Sequence, residues 1–266
     1  MIKSIQKNTS SSIAITFSVW KALFLREALS RLFSGRAAWM WLLFEPMIHI
    51  AVMLAMFATI RVRNIGGIDT TAWLMSGMLC YFMFKRSSSQ VMNAISANQA
   101  LFTYRQVKPV DTALVRAFFE GILTIVATLI LFALVALFGV YMIPTSPMLV
   151  FAAFLGLWLI GLGFGLIVSV AKELIPELGR IIAILMTPLY MLSGVMMPLT
   201  TIPLPYRDLL MFNPLLHGVE AARLGFAPYY HAIPNLSIAY VYVFALTLIF
   251  FGLLLHKRFA IKLVMR

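Results

Sequence analysis

Lys85 and Arg86 stand side by side in CYFMFKRSSSQVMNAIS (Cys80 to Ser96), after an apolar run and before serines and amides. Two adjacent cations can hold an anionic group, and the side chains of Ser89, Gln90 and Asn93 can exchange hydrogen bonds with a polar ligand. On a helical wheel at about 100° per residue, Lys85, Arg86, Ser89, Gln90, Asn93 and Ser96 share one arc of roughly 140°, with Phe84, Val91 and Ile95 opposite. A charge at the bilayer centre costs about 3 kcal/mol or more, so such a face belongs against a bundle interior or a water-filled cavity. No acidic residue accompanies the cations in their own segment. Two readings stay open: Glu45 or Glu120 from other helices neutralises them, or they meet a passing anionic ligand. A third ends the helix at Phe84 and makes the cations a basic flank of a loop.

Other polar groups have plainer roles. Glu45 and His49 sit at i, i+4 around Pro46, which favours a hydrogen bond inside a helix bundle over a proton relay. In NPLLHGVEAARLGF, Asn213 and Pro214 can start a short helix that carries His217, Glu220 and Arg223. Asn213 suits the cap and Glu220 can pair with Arg223, but the segment supplies too few ligands for a metal site. The chain has no G-x-x-x-x-G-K-[ST] phosphate loop, no nucleophile elbow and no CxxC, and Cys80 is its single cysteine. Gly161, Gly163 and Gly165 in LIGLGFGLIV are suited to close helix packing.

The elements that must position these residues are membrane helices. The chain of 266 residues is 62% hydrophobic and only 11% charged, which places it in the membrane class. Spans of about 20 apolar residues are expected at 37–60, 117–141, 148–171, 181–197 and 239–255. A sixth needs the polar face: the apolar run 71–84 reaches only about 21 Å at 1.5 Å per residue, so the predicted span extends to 97. Six spans put both termini on one side. That side collects Lys3, Lys7, Lys21, Arg26, Arg31, Arg36, Arg105, Lys108, Arg116, Lys172, Arg180, Lys257, Arg258, Lys262 and Arg266, against Arg61, Arg63, Arg207 and Arg223 on the other. Both termini are therefore predicted to be cytoplasmic. The same scatter over short loops accounts for the net charge of +12 without nucleic acid. The N-terminus lacks the pattern of a cleaved signal peptide, so an uncleaved polytopic chain is expected.

Before the first span, a helix over 13–34 places Phe17, Trp20, Phe24, Ala28 and Leu32 on one side and Arg26 and Ser30 on the other. That pattern suits the membrane interface. The proline-punctuated stretch 200–238 reads as short re-entrant or interfacial helices on the outer side.

Three stretches, WLLFEPMIHI, FTYRQVKPVDTALVRAFFE and SGVMMPLTTIPLPYRDLLMFNPLLHGVEAARLGF, resemble the membrane subunits of ABC exporters of the ABC-2 type, in particular the capsular polysaccharide export permeases of the KpsM kind. The resemblance implies an all-α, six-span ABC-2 fold in an inner-membrane homodimer with two separate ATPase subunits. It also implies export of a lipid-linked polysaccharide, with a periplasmic adaptor and an outer-membrane exporter as further partners. This chain would bind no cofactor, since ATP and Mg belong to the ATPase. The segment 99–111 would be a coupling helix seated on the ATPase through Tyr104, Arg105, Lys108 and Asp111. The outer gate would include Asn213, Pro214, His217, Glu220 and Arg223. Tyr81, Phe82, Lys85, Arg86, Ser89, Gln90 and Asn93 would line the path, the aromatics offering ring faces to sugars and the cations meeting acidic sugars or a lipid phosphate. An O-antigen, teichoic-acid or drug exporter of the same architecture is the alternative, and a secondary transporter a more distant one.

Overall fold

The computed structural model describes residues 12–33, 38–59, 64–104 and 106–264. Ten α-helices follow in these segments: α1 (Ser12–Phe33), α2 (Ala38–Thr59), α3 (Thr70–Met92), α4 (Pro109–Ala136), α5 (Pro147–Leu174), α6 (Leu178–Leu192), α7 (Leu204–Leu210), α8 (Pro214–Phe226), α9 (Ile238–Arg258) and α10 (Ala260–Val264). A hairpin of two very short strands, β1 (Asn64–Ile65) and β2 (Ile68–Asp69), leads into α3. Its central residues, Gly66 and Gly67, both have positive φ, as a two-residue hairpin turn with right-handed strand twist requires.

Among the described residues, three helices, α4, α5 and α9, are long and apolar enough to cross a membrane. Their outward faces fit a lipid solvent: Phe118, Ile125 and Leu129 on α4, and Val243, Leu246 and Phe250 on α9, are exposed. Shorter apolar stretches occur at Leu43–Thr59 and Leu178–Leu192. The latter, α6, is 15 residues, about 22 Å of helix, short of the roughly 30 Å hydrocarbon core.

Helix α5 is the central post, packed chiefly on α9, α3 and α8. Its glycines permit this. A Cβ at Gly161 or Gly165 would lie 2.8 Å from Phe84 O and 2.6 Å from Val91 Cβ on α3, and one at Gly163 would lie 2.7 Å from Leu248 Cβ on α9. The predicted packing role of the three glycines is therefore met, with two facing α3 and one facing α9. The core gathers Trp73, Leu74 and Met78 of α3 around Leu157 of α5, Val219 of α8 and Val241 of α9.

Helix α3 passes through Lys85 and Arg86 and ends at Met92, so the reading that stops it at Phe84 is wrong. It is also shorter than the predicted 71–97. Its 23 residues span about 34 Å. The apolar part, Trp73 to Phe84, is buried throughout inside the bundle, which is why it lacks the length of a lipid-facing run.

The predicted helix over 99–111 does not form as one unit. Ser96–Thr103 make a 3-10 helix, Tyr104 and Lys108 are extended, and Pro109 opens α4. Proline accounts for the break, because it disfavours helical backbone at the preceding residue yet suits the first position of a helix. Asp111 then closes the first turn, accepting from Lys108 N at 3.2 Å. Arg105 lies outside the described residues. The other spans begin or end a few residues from expectation, with α4 starting eight residues early at Pro109 and α6 ending at Leu192.

Helix α1 turns one stripe toward the bundle: Leu23 and Glu27 are buried, whereas Phe17 is 70% exposed and Leu29 61%. The charges of the buried stripe have partners on α3 and α4, with Arg31 reaching Gln90 and Glu120 and Arg116 reaching Glu27.

Candidate functional site

The polar arc on α3 survives as a structural face. Lys85, Arg86, Ser89, Gln90 and Asn93 are half-buried, while Phe84, Ser87, Ser88 and Val91 on the other side are fully packed. Tyr81 and Phe82 stand behind it, both buried. Tyr81 donates to Met186 O at 2.8 Å and stacks edgewise on Tyr190, while Phe82 meets His49 edge-on. Their rings thus serve helix contacts within this chain.

Arg86 is held by a carboxylate from α4. Its Nε donates to Glu120 Oε1 at 2.7 Å, and Arg31 Nη1 on α1 reaches Glu120 Oε2 at 2.5 Å. Arg31 also donates to Glu27 Oε1 and to Gln90 Oε1, each at 2.6 Å. Arg116 of α4 lies 3.0 Å from Glu27 Oε1, an ion pair without hydrogen-bond alignment. Three helices are joined here through two carboxylates that are almost wholly buried, Glu27 and Glu120.

The C-terminal end of the same face carries further ties. Lys172 Nζ donates to Asn93 Oδ1 at 2.6 Å and Arg116 Nη1 to Asn93 O at 3.2 Å, placing two cations at the α3 C-terminus, where the helix dipole favours them. Arg26 binds Asn98 Oδ1, and Trp20 Nε1 donates to Asp111 Oδ1 at 2.9 Å. Helix α1 therefore touches both the segment 96–111 and the charged cluster. In that segment Tyr104 is 66% exposed, whereas Phe102 is buried against Val170 and Leu263.

The open question about the cations has a divided answer. Arg86 pairs tightly with Glu120, while Lys85 meets Glu45 at 3.8 Å and no other acidic group among the described residues. Glu27 is the residue that reading the sequence overlooked, although Glu27 and Arg31 stand at the i, i+4 spacing of a helical ion pair. His49 lies 3.2 Å from the Tyr190 hydroxyl in a hydrogen bond between α2 and α6, the bundle contact expected of it.

At the far end, Arg223 organises a second buried knot. It is fully buried, pairs with Glu220 at 2.6 Å, donates to Gly194 O at 2.9 Å and Val195 O at 3.2 Å, and lies 3.8 Å over the Trp73 ring. The Tyr230 hydroxyl donates to Glu220 at 3.0 Å, and burial pushes its pKa up to about 12, so it remains a donor at working pH. Asn213 caps α8 by accepting from Leu215 N at 3.1 Å. Pro214 follows at the first helical position. His217 accepts from Ser237 N at Nδ1 and therefore donates from Nε2 to Met211 O, which leaves neither ring nitrogen for a metal.

A greasy outer surface, three membrane-length helices among the described residues and buried ion pairs inside the bundle define a polytopic helical membrane protein. Residues 18–227 match the model of the ABC-2 type transporter family, and the chain belongs to that family. It is 35% identical to the polysialic acid transport protein KpsM of Escherichia coli over 89% of this chain and 92% of that one. It is 29% identical to the capsule polysaccharide export inner-membrane protein CtrC of Neisseria meningitidis serogroup A over 81% of each chain, and 25% identical to BexB, of the same description, from Haemophilus influenzae over 96% of each.

Proposed function

We propose that this chain is the membrane subunit of an ATP-driven exporter that moves lipid-linked capsular polysaccharide from the cytoplasm to the periplasm. The observation that carries this reading is the nearly end-to-end similarity to KpsM, a polysialic acid transport protein. In this reading two copies of the chain, each with six spans and cytoplasmic termini, sit in the inner membrane. They work with two ATPase subunits, a periplasmic adaptor and an outer-membrane exporter. The segment 96–111, with Tyr104, Arg105, Lys108 and Asp111, receives the push of the ATPase. Lys85, Arg86, Ser89, Gln90 and Asn93 line the path, and the region of Asn213 to Arg223 shapes the exit.

A long polymer must thread, so the path needs interchangeable weak contacts, and half-buried hydroxyl, amide and cationic groups supply them. Closure of the ATPase pair on nucleotide then rocks the two permease halves. Copurification from native membranes tests the assembly. An ATPase subunit at equal stoichiometry is expected, and its absence together with ATP-independent transport sinks the proposal. Within the assembly, Lys85→Ala, which leaves the tight Arg86–Glu120 pair in place, should leave ATPase association intact while lowering surface display of an acidic polymer. Normal display removes the path role.

A further inference from the structure

Helices α4 and α5 are consecutive in the chain yet touch each other little, since α4 packs chiefly on α3 and α1 while α5 packs on α9, α3 and α8. A groove of about 460 Å³ runs between them. One wall is an α4 stripe from Phe118 to Phe132, the other an α5 stripe from Pro147 to Trp158, and Met83 of α3 stands behind both. At one end the Phe132 ring meets Phe226 edge-on, and at the other Trp158 lies against Gly121, where a Cβ would stand 2.7 Å from the indole Nε1. The long side is open, with Phe118, Ile125, Leu129 and Phe151 exposed on its rims.

Water gains nothing there. The Thr128 hydroxyl already donates to Thr124 O at 2.8 Å and Trp158 Nε1 to Ala117 O at 2.9 Å, and an apolar recess without free polar partners stays dry. Size then selects among apolar occupants. The α4 stripe is about 21 Å long at 1.5 Å per residue, so a volume of about 460 Å³ spread along it makes a channel roughly 5 Å across. A helix is about 10–12 Å wide with its side chains, and one from a second copy would rest on the rims without entering. An unbranched hydrocarbon chain, whose carbons make contact at about 4 Å, fits lengthwise. The groove is also longer than one leaflet is deep, about half of the roughly 30 Å hydrocarbon core.

We infer that one acyl chain of a bilayer phospholipid is bound in this groove as fixed packing between α4 and α5. Membrane helices are held together by close contact rather than by exclusion from water, and the chain gives α4 and α5 the contacts they do not make directly. The site recognises the chain rather than the headgroup and is independent of the export reading.

The full-length chain in phosphatidylcholine vesicles with a rising fraction of lipid brominated at mid-chain tests this, because bromine quenches a neighbouring indole. The protein has five tryptophans, so the Trp158 signal is taken as the difference between the natural chain and Trp158→Phe. It should fall in direct proportion to the brominated fraction, as a single exchangeable chain position requires. A steeper fall, the mark of several annular lipids around the indole, overturns the inference. So does no fall at all, the result if a second copy or another segment of the chain covers the groove. Thr128→Phe, which puts a ring into the groove, should remove most of the quenching, whereas Thr128→Val should retain it. After delipidation in detergent, added phosphatidylcholine should raise the thermal unfolding midpoint of the natural chain and of Thr128→Val but not of Thr128→Phe, since a ligand bound to the folded state stabilises it. Equal quenching and an equal rise in all three chains overturn the inference. The proportional law is read on the natural chain and decides even where Thr128→Phe does not fold.

Discussion

Glu120 neutralises two arginines from two different helices while itself being 1% exposed. Removing one partner of a buried pair strands a charge, which costs about 3–5 kcal/mol. Glu120→Ala should therefore lower the thermal unfolding midpoint in detergent sharply, and adding Arg31→Met to it should recover part of the loss. A double mutant as unstable as the two single losses combined would show that Arg31 and Glu120 do not couple. At the other end, Arg223→Lys keeps the charge but loses the planar fork that serves Glu220, Gly194 and Val195 at once. A loss of about 2–4 kcal/mol, read from the same unfolding curve, is expected. At this scale the sequence was partly legible. The polar arc of α3 and the Glu220 and Arg223 pair follow from spacing alone, whereas the choice of Glu120 over solvent for Arg86 depends on how α4 is placed, which no local pattern records. Glu27 was hidden for a related reason: a wheel assigns a carboxylate to the polar side, and only Arg31 and Arg116 together make its burial favourable.

Helices meet through small residues and through proline-set boundaries. A side chain at Gly165 has no room, since even a Cβ would lie 2.9 Å from Ser88 O on the α3 backbone. Gly165→Leu must push α3 and α5 apart and should cost at least about 1–3 kcal/mol, with yield of folded protein in detergent as the measure. Helix α1 is attached by ion pairs from Glu27 and Arg31 as well as by Leu23 and the Phe24 ring. Glu27→Gln with Arg31→Met should raise amide hydrogen exchange across α1 while leaving α5 and α9 protected, and uniform exchange changes would show instead that the whole bundle loosens. Span existence was readable from hydropathy, and the start of α8 from Pro214, but the start of α4 at Pro109 was not: the sequence places Pro109 inside a helix over 99–111 and begins the span only at 117. The 3-10 geometry of Ser96–Thr103 was not readable either, because the chain there holds no turn residue that distinguishes it from an α-helix.

Across the molecule, α1 forms a bridge. Through Trp20 and Arg26 it holds the segment 96–111, through Arg31 it holds Gln90 on the polar face of α3, and through Glu27 it holds Arg116 of α4. Under the exporter reading, Glu27→Gln with Arg31→Met should leave ATP hydrolysis by the partner subunits running while export falls. Equal loss of both would place the defect in assembly instead. Cys80, the only cysteine, lies at 0% exposure in the core beneath these elements. The natural chain is thus already silent to water-borne maleimides, and cysteines introduced singly at positions 85, 89 or 93 would label against no background. Their reaction rates, with and without nucleotide on the partner ATPase, would chart when that face opens to water.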